Sequence, residues 1–111
     1  MKEKVYEYLL RIPKGKVVTY KQIAEYLGNP KLARVVGNIL HVNPYPEIYP
    51  CYKVVNSRGG LAKHFGYGGI DMQKAKLEAD GIEVIEYTVD LNKYQYTEND
   101  TANELQEDSN E

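Results

Sequence analysis

The chain has a single cysteine, Cys51, set directly after Pro50. A thiol can act as a nucleophile or as a metal ligand only as its thiolate, so Cys51 needs neighbours that make the charged form available. Without such neighbours a lone cysteine is usually a small buried hydrophobe. One cysteine permits no intrachain disulfide and excludes a Cys-rich metal site, and no metal or cofactor is expected. The basic residues suggest a second kind of chemistry. Residues 1–74 carry 12 Lys/Arg and 5 Asp/Glu, while residues 75–111 carry 2 and 11, so a net charge of -2 hides a basic body and an acidic end. A basic body suits a polyanion, held in a salt-sensitive way through residues such as Lys14, Lys16, Lys21 and Lys31.

The elements that must position these groups can be read from periodicity and punctuation. Val5, Leu9 and Leu10 predict a helix over 3–11, broken by Ile12-Pro13-Lys14-Gly15. Val17-Val18-Thr19 predicts a short strand. Thr19 and Gln22 form a capping-box pair for a helix over 20–27, with Ile23, Ala24 and Leu27 inward and Gly28 as its stop. Asn29 and Pro30 open a second helix, with Leu32, Val35, Val36, Ile39 and Leu40 inward and an end near 41–42. Together these two make a helix-turn-helix pattern. Asn43-Pro44-Tyr45-Pro46 is a loop, 48–55 is extended, and 56–60 is a turn. Residues 59–69 hold five glycines, a loop whose backbone can approach a ligand closely. A helix over 70–80 stops at Gly81, a strand over 82–87 follows, and 89–91 is a short appendage. From about 97 the chain is acidic and polar and predicts disorder. The domain plan is 1–86 as one folded unit, 87–96 as an extension and 97–111 as a tail. Neither a signal peptide nor a transmembrane run is visible, so the expectation is a cytoplasmic, nucleoid-associated or nuclear protein with no membrane partner.

Several motifs stand in one order: Pro13-x-Gly15, Thr19-Tyr20, Gly28-Asn29-Pro30, Ala33-Arg34-Val35-Val36-Gly37, Asn43-Pro44, Pro50-Cys51, Val54-Val55, Gly68-Gly69 and Asp80-Gly81. Over roughly residues 3–86 this resembles the DNA-binding, active-site domain of the O6-alkylguanine-DNA alkyltransferases. The resemblance implies a mostly α fold with a short β element, of winged helix-turn-helix type, acting as a monomer. Its partner would be double-stranded DNA containing alkylated guanine, bound from the minor groove. The base would be flipped out of the helix and its alkyl group transferred irreversibly to Cys51, once per molecule and without a cofactor. By the same resemblance Asn43 orders the cysteine loop. Tyr20 rotates the target nucleotide, and Arg34 fills the gap left in the DNA. Ala33 and Gly37 allow the second helix to approach the groove, Lys31 and Asn38 add DNA contacts, and Tyr45, Val54, Ser57 and Gly59 line the base pocket.

The family's cysteine sequence reads Pro-Cys-His-Arg, whereas Tyr52 and Lys53 follow Cys51. The family's histidine relays a proton towards an acid that Asp80 matches. A tyrosine is a poor base at neutral pH, although Tyr52 could donate a hydrogen bond to a thiolate and Lys53 could stabilise one. His41 and His64 are the available histidines, and no spacing places either beside Cys51. The short chain and the aromatic Tyr52 are also similar to the alkyltransferase-like proteins. These have Trp in place of the cysteine, bind alkylated guanine without removing the alkyl group, and hand the lesion to nucleotide excision repair. Two readings therefore stand: a single-turnover methylated-DNA–protein-cysteine S-methyltransferase and a non-catalytic lesion sensor. A third, a helix-turn-helix regulator reading the major groove through Lys31, Arg34, Asn38 and His41, rests on the helix pair alone.

Overall fold

The first three helices enclose one end of the molecule, and a strand pair fastens them to the other. The structure, a computed structural model, describes residues 1–63 and 65–97. Helix α1 (Lys2–Leu9) buries Val5, Tyr8 and Leu9. After a turn, strand β1 (Val18–Thr19) leads into α2 (Tyr20–Tyr26). The capping box forms as expected: Thr19 Oγ1 accepts from the Gln22 amide at 3.1 Å, and Gln22 Oε1 accepts from the Thr19 amide at 2.8 Å. Such a cap is worth about 1 kcal/mol. The Asn29 side chain caps a single 3-10 turn over Pro30–Leu32, and only then does α3 (Ala33–His41) begin. The second helix of the pair is thus shorter than its sequence suggests.

Helix α3 buries Val36 and Leu40, whereas Val35 is 37% exposed and faces outward rather than inward. Its neighbours at helical spacing, Leu32 and Ile39, are only partly buried, so the inward stripe is narrow. The segment expected to be extended over 48–55 instead folds into turns, including a 3-10 turn at Cys51–Lys53, and only β2 (Val54–Val55) is a strand. β2 lies parallel to β1, pairing Val18 with Val54 and Thr19 with Val55. Side chains alternate across a strand. Val18 and Val54 therefore join the core of α1, α2 and α3, while Val17 and Val55 join a second core with Leu61, Leu77, Ile82, Val84 and Val89.

Helix α4 (Gly69–Ala79) supplies Leu77 to that second core. The strand expected over 82–87 is half of a hairpin, β3 (Val84–Ile85) against β4 (Thr88–Val89). Its two-residue turn places Glu86 at φ 51° and Tyr87 at φ 57°, the left-handed region that suits the right-handed twist of a tight hairpin. Helix α5 (Leu91–Tyr94) follows. The chain then returns to β1, where the Val17 amide donates to the Tyr94 carbonyl and the Tyr96 amide donates to the Val17 carbonyl, both at 2.8 Å. The capping residue Gln22 also holds this segment, donating to the Tyr96 carbonyl at 2.6 Å and accepting from Gln95 Nε2 at 2.8 Å. The disorder expected for the tail beyond Thr97 lies outside the described residues. The result is a mostly helical fold with a small sheet.

Candidate functional site

Cys51 owes its position to local chemistry on both sides. Pro50 has φ -74° and ψ 76°, an inverse γ-turn, and the Cys51 amide donates to the Tyr49 carbonyl at 2.8 Å. Asn43 is fully buried, and its Nδ2 donates to that same carbonyl at 2.8 Å while its Oδ1 accepts from the Tyr45 amide at 3.0 Å. One side chain thus ties both ends of the loop over 43–51, and a carbonyl with two lone pairs serves two donors. Cys51 is 6% exposed. Burial pushes its pKa up, while a hydrogen bond from Asn43, a backbone donor and the charge of Lys76 act the other way. Burial prevails, so the resting group is a thiol.

Cys51 lines a cleft of about 520 Å³, the volume of a small-molecule site. Tyr20 from α2 and Gly37, Asn38, Leu40 and His41 from α3 form one wall; Ala62, Lys63, Phe65, Gly66 and Tyr67 from the glycine loop form the other. Burial, then the neighbouring Cys51, push the Tyr20 hydroxyl above its ordinary range. A Cβ at Gly37 would meet the Tyr20 ring at 3.9 Å, an ordinary contact. Nothing inside the chain therefore demands a glycine there, and its smallness leaves the cleft side open. At Gly66 a Cβ would come within 3.1 Å of the His41 carbonyl, so this glycine lets the loop close on the end of α3. Behind the sulfur, Tyr6 stacks on Tyr49 with ring centroids 4.8 Å apart, and its hydroxyl is buried without a hydrogen-bond partner.

Tyr52 turns away from the cleft. Its hydroxyl donates to Asp80 Oδ2 at 2.6 Å. Burial first, then this bond and the carboxylate's charge, hold the phenol far above its ordinary range. Lys53 is 7% exposed and donates through Nζ to the Ile12 carbonyl at 3.0 Å; burial lowers its pKa, against the pull of Asp80. Gln73, fully buried on α4, donates through Nε2 to the Tyr52 and Val54 carbonyls at 3.0 Å and accepts from the Ala62 amide at 2.8 Å. It fastens the cysteine turn, β2 and the glycine loop to one helix.

Of the residues the sequence singled out, Cys51, Asn43, Tyr20, Gly37 and Asn38 come together around the cleft. Arg34 is exposed on α3, one turn before Asn38 and two before His41, so it shares their helix face. Lys31 is exposed on the 3-10 turn, and Ala33 is partly buried against the first core. Tyr52 and Asp80 meet each other rather than the sulfur. The four expected pocket residues line no part of the cleft. Tyr45 is 58% exposed on its loop. Val54 is in the core, committed by strand pairing, and Ser57 is exposed on a turn. Gly59, at φ 87°, sits against the Val89 carbonyl where no Cβ fits. Ala62, Lys63, Phe65, Gly66 and Tyr67 take their place. The glycines of this loop gave the signal, but loop length alone does not say which residues face inward. His41 reaches the cleft wall, and His64 lies outside the described residues. Lys76 and Gln73 were missed; the signal for Gln73 was a polar residue four before Leu77, on the buried stripe of α4. Among the described residues no group of His, Cys, Asp and Glu could hold a metal ion, and no helix is long and apolar enough to cross a membrane.

Residues 1–82 match the family model for the DNA-binding domain of 6-O-methylguanine DNA methyltransferase. Alkyltransferase-like protein 1 of Schizosaccharomyces pombe is 39% identical over 99 residues, spanning 84% of this chain and 91% of that protein. The methylated-DNA–protein-cysteine methyltransferase of Mus musculus is 41% identical over 75 residues, 67% of this chain but 35% of its own length. Among solved structures, Schizosaccharomyces pombe Atl1 in complex with damaged DNA containing O6-carboxymethylguanine is similar with a TM-score of 0.77 and 37% identity, over 86% of this chain and 94% of that one.

Proposed function

The chain belongs to the 6-O-methylguanine DNA methyltransferase family through its DNA-binding domain, and from that membership we propose that it receives a flipped-out O6-alkylguanine in the cleft and takes the alkyl group onto Cys51. The observation that carries this reading is that Cys51 lines a cleft walled by α3, the second helix of the helix-turn-helix. Helix α3 approaches the minor groove of duplex DNA, where Gly37 admits the backbone and Arg34, on the cleft face, fills the space the base vacates. Lys31 and Asn38 add contacts to the DNA. The bound structure of the Schizosaccharomyces pombe relative with O6-carboxymethylguanine DNA supports the choice of ligand.

In the transfer step the thiol first loses its proton. A lone pair on Sγ then forms the S–C bond as the C–O6 bond breaks, and that electron pair leaves with guanine, which takes up one proton. The step needs no metal or redox partner. Asn43 positions the turn and hydrogen-bonds the sulfur, and Lys76 favours its negative charge; Tyr20 holds the nucleotide. Tyr52 has no part in the proton transfer, because its hydroxyl is committed to Asp80.

Intact-mass spectrometry after incubation with O6-methylguanine duplex tests the proposal. We expect a gain of one CH2 located on Cys51 and none in Cys51→Ala. Tight binding of the methylated duplex with no change in mass overturns transfer. A specific observation favours that second outcome, a lesion sensor that hands damage to nucleotide excision repair: burial keeps the thiol protonated, and Tyr52, in the histidine's place, is bonded to Asp80 instead. In that case lesion preference survives Cys51→Ala.

A further inference from the structure

We infer that the cleft selects among O6 adducts by charge, and that Lys63 makes it prefer adducts ending in an anionic group over neutral or cationic adducts of the same size. This rests on the reading of the cleft as the site for an everted alkylguanine.

The argument begins with the groups that line it. Its polar side chains are Tyr20, Asn38, His41, Cys51, Lys63 and Tyr67. Among these described residues there is one full positive charge, on Lys63, and no carboxylate. Two carboxylates on α4 and at its C-terminal cap are engaged elsewhere: Asp80 accepts from Tyr52, and Asp71 accepts from Tyr87 at 2.8 Å; outside the lining, the charge of Glu3 is felt by Tyr6 and that of Lys76 by Cys51. Lys63 is exposed at the rim, and among the described residues it has no ion-pair partner. A cleft of about 520 Å³ holds more than a methylated purine. An adduct longer than methyl must therefore run from the sulfur along a wall, and the loop wall carries the lysine. A cleft lined by charge of one sign and walled by low-dielectric rings concentrates its field on what enters. Tyr67 and Phe65, packed edge to face at 6.2 Å, supply those rings beside Lys63.

Lys63 is solvated, so the effect is modest. Opposite unit charges about 4 Å apart in a water-like medium attract enough for roughly a five-fold change in affinity. The expected preference for O6-carboxymethylguanine over O6-(2-hydroxyethyl)guanine is about five-fold, with O6-(2-aminoethyl)guanine weaker again by a similar factor.

Equilibrium binding of the full chain in the Cys51→Ala background, where no transfer disturbs the equilibrium, tests this with duplexes carrying each of the three adducts or plain guanine. Lys63→Met should bring the carboxymethyl-to-hydroxyethyl ratio to about one, and Lys63→Glu should reverse the order of the carboxymethyl and aminoethyl adducts. Thermal melting of each variant checks that the fold is intact. Equal affinities for the three adducts in the parent overturn the inference, as does a carboxymethyl preference unchanged in both variants. A uniform loss of affinity in Lys63→Met, undamaged duplex included, also overturns it, since it would mean that Lys63 contacts phosphate. The cleft reading fails in a different way: no adduct would then be bound better than guanine.

Discussion

Cys51 and Tyr52 are consecutive, yet they serve opposite halves of the molecule. The Cys51 side packs into the core of α1, α2 and α3, and the Tyr52 side packs against the core of α4 and the hairpin. On the Tyr52 side polar groups are paired off: Tyr52 with Asp80, and Gln73 with three backbone groups. On the Cys51 side a cleft stays open, and the Tyr6 hydroxyl behind it is the buried side-chain polar atom without a partner among the described residues. Buried polar groups are almost always satisfied, so this orphan sets the Cys51 side apart from the paired side. The paired side is the scaffold that holds the turn. The difference separates stability from function across one peptide bond.

The sharpest way to break that comparison is to unpick the scaffold. Gln73→Leu keeps the volume roughly but strands two carbonyls and one amide, each costing about 1 kcal/mol or more, so a loss of about 2–4 kcal/mol is expected in urea unfolding. Lesion affinity per folded molecule should stay within a few-fold. If affinity collapsed while the melting temperature held, the division into two sides would be mistaken.

The next effect is on the open side. Since the Cys51 pKa is raised above its ordinary value, the thiolate is the minor form at neutral pH, and its fraction grows about ten-fold per pH unit, or about 1.4 kcal/mol. Single-turnover alkylation should therefore accelerate about ten-fold per unit between pH 6 and 8. A plateau near pH 7 would mean that a base titrating there removes the proton instead.

How far the sequence could be read follows the same division. The caps at Thr19 and Asn29 and the stop at Gly28 are contained within a few residues, so they were legible from spacing. The role proposed for Cys51 rests on the ordered motifs of a family, not on periodicity. What failed was the tertiary part. The pairing of Tyr52 with Asp80 across 28 residues was implied by the family's histidine and its acid, whereas Gln73 finds Val54 across 19 residues with no local pattern to announce it. The residues assigned to the base pocket do not line this cleft, for a related reason. A valine before a turn reads alike whether it lines a cleft or, as Val54 does, pairs in a sheet. Val35 misled because an apolar residue on a helix is no proof of which side is buried.

The smallest effect tests the seam itself. Tyr52→Phe removes one hydroxyl and leaves the ring against the second core. The lost bond to Asp80 should cost about 1 kcal/mol, less than Gln73→Leu because Tyr52 is only half-buried and water can reach the carboxylate. The sign of its pH dependence follows from the raised phenol pKa. The folded state holds this proton more tightly than the unfolded state, so the contribution is complete below the ordinary tyrosine value, about 10, and is lost as pH rises beyond it. The stability gap between parent and Tyr52→Phe should then be flat from pH 7 to 9 and narrow in stronger alkali. Alkylation of Cys51 should change by less than about three-fold, because a hydroxyl already donated to Asp80 has no proton to offer the sulfur. A large fall in rate with little change in stability would place Tyr52 on the Cys51 side after all, as the functional successor of the family's histidine.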